Sequence, residues 1–206
     1  PTRRSSDLND QILICVGNGS PWNPDIRDPN SDGDNLFLSS ILAVDADTGE
    51  YRWHYQTTPR DRWDYTATQQ IMLADLPLGE NGADRRVVMQ APKNGVFYVL
   101  DAADGELISA TPFTNQNWTT GEFDEKGRPV LVEDAVDLAL YAVVPGPTGA
   151  HNWHPMAFNP DTGLVYIPVN EIPFFYDKTR NVEESKSHWN IGYDAAAGWP
   201  VEYPAG

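Results

Sequence analysis

Three short segments share one turn grammar. Asp45-Ala46-Asp47-Thr48-Gly49, Asp101-Ala102-Ala103-Asp104-Gly105 and Asn159-Pro160-Asp161-Thr162-Gly163 each sit between runs of β-branched and aromatic residues. In such a turn the leading Asp or Asn accepts nearby backbone N–H groups, and the glycine takes the left-handed position. Asp45 and Asp101 are 56 residues apart, and Asp101 and Asn159 are 58 apart. A repeat of that length holds about four short strands, the size of one propeller blade. Ser6 to Ile14 reads as a weaker copy of the Asn159 hairpin.

The spacing predicts an all-β chain forming about two and a half blades: one over 1–60, a second over 61–115 and part of a third over 150–206. Residues 116–149 read as an extended connection or insertion. The chain has 17 prolines and 16 glycines, which supply turns throughout. Only Val132 to Val144 has a pattern compatible with a short helix. Two and a half blades cannot close a ring and would leave sheet edges open, so the expectation is a piece of a longer chain.

Composition narrows the function. The net charge of −16 opposes a nucleic-acid backbone as partner. No apolar run reaches the roughly 18–20 residues of a membrane helix. Pro1-Thr2-Arg3-Arg4-Ser5-Ser6 is followed by no apolar stretch and does not read as a signal peptide. One cysteine, Cys15, lies in the apolar run Ile12 to Val16 and reads as a core residue.

The chemistry-bearing stretch is Arg62-Trp63-Asp64-Tyr65-Thr66-Ala67-Thr68-Gln69. It puts an acid between two aromatics at the junction of two repeats. Flanking rings would exclude water and raise the carboxylate's basicity, suiting it to bind a metal or take a proton. The same Trp-Asp dipeptide also serves as a plain structural corner. Likewise Asn18 in Gly17-Asn18-Gly19-Ser20 and Lys93 in Lys93-Asn94-Gly95 read, by themselves, as turn residues. His151 and His154 stand three apart in a non-helical setting that does not favour a zinc pair. Trp22, Trp53, Trp63 and Trp189 read as packing between blades.

Taken in order, Gly17 to Asn23, Ala43 to Pro59, Trp63 to Gln69, Ala91 to Asp101 and His151 to Pro168 resemble the pyrroloquinoline-quinone (PQQ)-dependent alcohol dehydrogenases, most of all the ethanol-type quinohaemoproteins. The resemblance runs from about residue 7 to about residue 180 and implies an eight-bladed propeller with the quinone and a divalent cation near its axis. It also implies a periplasmic setting, a small primary alcohol as substrate and a cytochrome c or attached haem as electron acceptor. Asn18 would ligate the metal, and Asp64 would touch that metal and act as general base. Lys93 would hydrogen-bond the quinone oxygens, and Asn152 with Trp153 would contact the cofactor. Lanthanide members carry an extra acid two residues after the catalytic Asp, and Thr66 stands there, so calcium is implied. The family's glutamate ligand, adjacent-cysteine disulfide and stacking tryptophan would precede residue 1, and a haem motif would follow residue 206. Two alternatives remain: a non-catalytic propeller scaffold, which has no need for these residues to converge, and a quinoprotein sugar or polyol dehydrogenase.

Overall fold

Each of the three repeated turns closes a hairpin in the computed structural model, which describes residues 10–137, 141–177 and 191–193. Asp45 Oδ1 accepts the N–H groups of Asp47 and Thr48 at 3.0 and 2.9 Å. Asn159 Oδ1 accepts those of Asp161 and Thr162 at 2.9 and 3.3 Å. Gly105 has two reasons to be glycine. Its φ is +77°, and a Cβ there would lie 2.4 Å from the Trp53 ring.

The strands between these turns pair antiparallel. β1 (Gln11–Cys15), β2 (Ser40–Asp45) and β3 (Tyr51–Gln56) form one sheet in that order. β4 (Met72–Leu76), β5 (Arg85–Gln90), β6 (Val96–Asp101) and β7 (Leu107–Pro112) form a four-stranded meander. Along β5 the pleat sends alternate side chains to opposite faces, and both faces are covered. Val88 joins Val96, Tyr98 and Leu100 in a large cluster that includes Ile41, Trp53 and Tyr55 of the first sheet. Val87, Met89 and Val99 face the other way, where Phe158 and Val165 pack against them. The four-stranded sheet is therefore stacked between two others. Trp53 fills the first gap, donating its indole N–H to Gln11 at 3.1 Å.

The rest is short elements. α1 (Pro24–Arg27) is capped by Asn23, whose side chain accepts the Asp25 N–H at 2.9 Å. β8 (Thr119–Phe123) and β9 (Pro129–Leu131) form a hairpin, followed by α2 (Glu133–Asp137). β10 (Tyr141–Val143) pairs with β13 (Phe174–Tyr176), and β11 (Ala157–Asn159) pairs with β12 (Leu164–Tyr166). The segment 116–149 thus holds a hairpin and a helical turn. Val132 to Val144 divides between α2 and β10, with residues 138–140 outside the described residues. Residues 6–9 of the weak hairpin copy, Trp189 and most of 178–206 also lie outside them. No helix among the described residues is long and apolar enough to cross a membrane.

Candidate active site

The segment from Arg60 to Gln69 leaves β3 and crosses to the second sheet, held largely by side chains. Asp61 is fully buried, and its Oδ1 accepts the N–H groups of Trp63 and Tyr65, both at 3.1 Å. Its carbonyl takes one arm of Arg27 at 3.0 Å, while the other arm donates to Pro21 and Trp22 carbonyls. The carbonyls at the end of α2, which a helix leaves open, accept from this segment: Ala135 from the Trp63 indole at 3.1 Å and Val136 from Arg62 at 3.0 Å. Tyr65 donates to the Pro145 carbonyl and Tyr176 to the Trp63 carbonyl. Trp63, Tyr65 and Trp118 form a fully buried triangle with ring centroids 5.4 to 5.6 Å apart.

Between the two aromatics Asp64 turns the other way, at φ +66°. Its Oδ2 accepts the Lys93 ammonium at 2.8 Å, and its carboxylate also takes a hydrogen bond from the Asn18 side chain. Burial raises the Asp64 pKa above the usual carboxylate value; the positive charge and hydrogen bond of Lys93, and the Asn18 amide, oppose this without cancelling it. The result is a carboxylate that is mostly shielded from water and more basic than an exposed one.

Lys93 stands in the turn between β5 and β6, a position that would ordinarily be solvated. Here it is buried because the chain from Gly146 returns across it. Ala150 donates its N–H to the Lys93 carbonyl at 2.9 Å, and a Cβ on Gly149 would come within 2.4 Å of Lys93 Cγ. The neighbouring Asn94 is also buried. It bridges the Thr57 carbonyl, the Thr58 hydroxyl and the Tyr98 hydroxyl at 2.9 to 3.2 Å.

Of the residues expected from the sequence, Asn18, Asp64 and Lys93 meet directly. Asn152 lies on the returning segment, with its amide nitrogen donating to the Thr148 carbonyl at 2.9 Å. Its Oδ1 is buried and no donor among the described residues reaches it. Trp153 is not drawn in: its ring is 89% exposed. Both ring nitrogens of His151 face carbonyl oxygens, those of Ala91 and His154. Cys15 is half-buried rather than a core residue, and burial pushes its thiol up to about 11.

The donor set suits a hard cation and a polar planar ligand. The Asn18 amide nitrogen donates to the Gly19 carbonyl at 3.1 Å, which leaves the amide oxygen as its ligating end. A carboxylate and an amide oxygen are ligands that calcium takes. Among the described residues no three His, Cys, Asp or Glu side chains cluster as a metal site, so these two oxygens are a partial set. Asp61 and Tyr176 escape a reading of the sequence. Asp61 has a signal, an acid three residues before Asp64, but Tyr176 has none.

Residues 9–130, more than half of the chain, match the PQQ family described as the glucose/ethanol/alcohol dehydrogenase β-propeller domain. The chain belongs to this family. Among the relatives of this PQQ propeller domain, the quinohemoprotein alcohol dehydrogenase of Comamonas testosteroni is 53% identical over 169 residues, covering 82% of this chain and 23% of that protein. The solved quinohemoprotein alcohol dehydrogenase ADHIIG of Pseudomonas putida HK5 superposes with a TM-score of 0.83 at 50% identity, covering 91% of this chain and 28% of that one. A europium-containing methanol dehydrogenase superposes with a TM-score of 0.75 at 30% identity, over 94% of this chain and 31% of that one. The chain spans about a quarter of the length of the relatives it matches.

Proposed function

We propose that this chain is part of a calcium- and PQQ-dependent dehydrogenase that oxidises a primary alcohol to an aldehyde. The observation that carries the reading is the meeting of Asn18, Asp64 and Lys93, which come from three separate turns. A scaffold propeller would have no use for a buried acid, a lysine and an amide turned toward one another.

Asn18 and Asp64 would hold the calcium ion, and Lys93 and Asn152 the quinone. When bound, the pair supplies a Lewis acid and a two-electron acceptor for the hydride. Asp64 takes the hydroxyl proton of the alcohol, and its raised pKa makes it a better base for that step. Lys93 offers a positive donor where negative charge builds up. The Trp63–Tyr65–Trp118 triangle keeps water from the rear of Asp64. The chain would supply about two and a half blades of an eight-bladed propeller, with units over 1–60, 61–115 and 150–206. The setting is periplasmic, and the electrons leave through a cytochrome c or an attached haem.

The family description spans glucose as well as alcohols, and a sugar or polyol dehydrogenase is the second reading. The relatives' names favour an alcohol. Dye-linked oxidation by the full-length enzyme, reconstituted with quinone and calcium, tests this against ethanol and glucose. Turnover of ethanol that Asp64→Asn abolishes is the expected result. Quinone binding with turnover of glucose alone favours the second reading, and no quinone binding at all removes both.

A further inference from the structure

We propose that Asp61 and Tyr176 form a clamp that positions the Asp64 carboxylate by pinning the peptide groups on either side of it. This rests on the reading of Asp64 as the base.

A residue's φ and ψ are set by the orientations of its two flanking peptide planes. The plane before Asp64 carries the Trp63 carbonyl, which accepts the buried Tyr176 hydroxyl at 2.7 Å. The plane after it carries the Tyr65 N–H, which donates to Asp61 Oδ1 at 3.1 Å. Asp61 Oδ1 also takes the Trp63 N–H at 3.1 Å, so one carboxylate oxygen spans the whole Trp63–Tyr65 unit.

The held conformation is an uncommon one. Asp64 sits at φ +66°, a left-handed geometry that Asp tolerates better than most residues but that still costs more than the right-handed or extended regions. Release of either plane would let the backbone relax and swing the carboxylate away from Lys93. Asp61 is itself an expensive device, because it is fully buried and its Oδ2 finds no donor among the described residues. A buried acceptor kept under that penalty acts here on the two N–H groups that bracket Asp64. Tyr176 reaches the same unit from β13, so the clamp joins elements far apart in sequence.

The test uses the full-length dehydrogenase, loaded with quinone and calcium, with Asp64→Asn as the reference. Asp61→Ala is expected to lower kcat about 100-fold, the scale of an ångström-sized misplacement, with KM and quinone content near wild type. A crystal structure of the variant should show Asp64 beyond hydrogen-bond reach of Lys93. Asp61→Asn, whose amide oxygen still accepts both N–H groups, is expected to recover most of the loss. An Asp61→Ala enzyme with wild-type kcat, pH profile and Asp64–Lys93 distance overturns the clamp while leaving the base in place. If that variant does not accumulate as folded protein, Tyr176→Phe decides. A fall in kcat of about tenfold, the size of one lost hydrogen bond, supports the clamp, and no fall overturns it. Activity in Asp64→Asn removes the base, and the clamp with it.

Discussion

The Lys93 ammonium donates to Asp64 Oδ2 at 2.8 Å, with only 11% and 13% of the two side chains exposed. Burial pushes the acid's pKa up and the lysine pulls it down, and burial prevails. The lysine therefore tempers a carboxylate that would otherwise hold its proton too firmly. In the apoprotein Asp64 is expected to titrate above the ordinary carboxylate range. Lys93→Met should move it higher still, because the charge and hydrogen bond that oppose burial are gone. Carboxyl-carbon NMR of the full-length apoenzyme checks both values. An Asp64 titration unmoved by Lys93→Met would mean that the contact does not govern its basicity.

Asp61 makes a different prediction, for stability. Burial raises its pKa to about 7 from 3.8, helped by the charge of Asp64 and opposed by the Tyr65 and Trp63 N–H groups and by Arg27. The folded chain thus keeps a proton that the unfolded chain has released, and stability falls as pH rises from about 4 to about 7. Three units correspond to about 4 kcal/mol. Asp61→Asn carries no such charge and should flatten this part of the profile. Urea denaturation of both proteins at the two ends of the window gives the comparison, and parallel slopes would count against it.

These two acids also show what a sequence reveals. The turns at Asp45, Asp101 and Asn159 were legible because an Asx side chain and a nearby glycine make their own hydrogen bonds locally. The Trp63-Asp64-Tyr65 stretch stood out for its residue types. The β8–β9 hairpin did not, because Thr-Thr-Gly-Glu-Phe and Pro-Val-Leu carry no apolar alternation. Lys93 and Asn94 read as a solvated turn, and only the distant Gly149-Ala150 segment makes them interior. Tyr176 shares no motif with Trp63, yet bonds its carbonyl. Local chemistry was readable, whereas contacts that depend on stacking one sheet on another were not.

The aromatic triangle should dominate the stability of this region. Trp118 is fully buried, packs against Trp63 and Tyr65, and donates to the Asn94 carbonyl at 2.7 Å. Trp118→Ala is expected to cost about 3–5 kcal/mol through the cavity it leaves. Trp118→Phe keeps much of the ring but orphans the Asn94 carbonyl, at about 1–3 kcal/mol. Denaturation midpoints of the two variants should therefore rank in that order. Equal losses would assign the whole effect to the hydrogen bond.

On the calcium reading, the choice of metal turns on Thr66. Its hydroxyl accepts from the Gln69 amide and the Thr68 hydroxyl, each at 3.1 Å, and it adds no charge beside Asp64. Attraction between a carboxylate and a cation scales with the cation's charge, so an acid at this position favours a trivalent ion over a divalent one by about half again in Coulomb energy. Thr66→Asp should accordingly tighten a lanthanide more than calcium in the quinone-loaded enzyme. If the Asn18 oxygen is a ligand as proposed, Asn18→Ala should weaken both metals by at least about tenfold, the lower bound seen when even a supporting partner of a metal ligand is lost. Calorimetric titration of the two metals into each variant separates the effects. Affinities for both metals left unchanged by Thr66→Asp would place residue 66 away from the metal, and unchanged affinities in Asn18→Ala would remove Asn18 from its ligands.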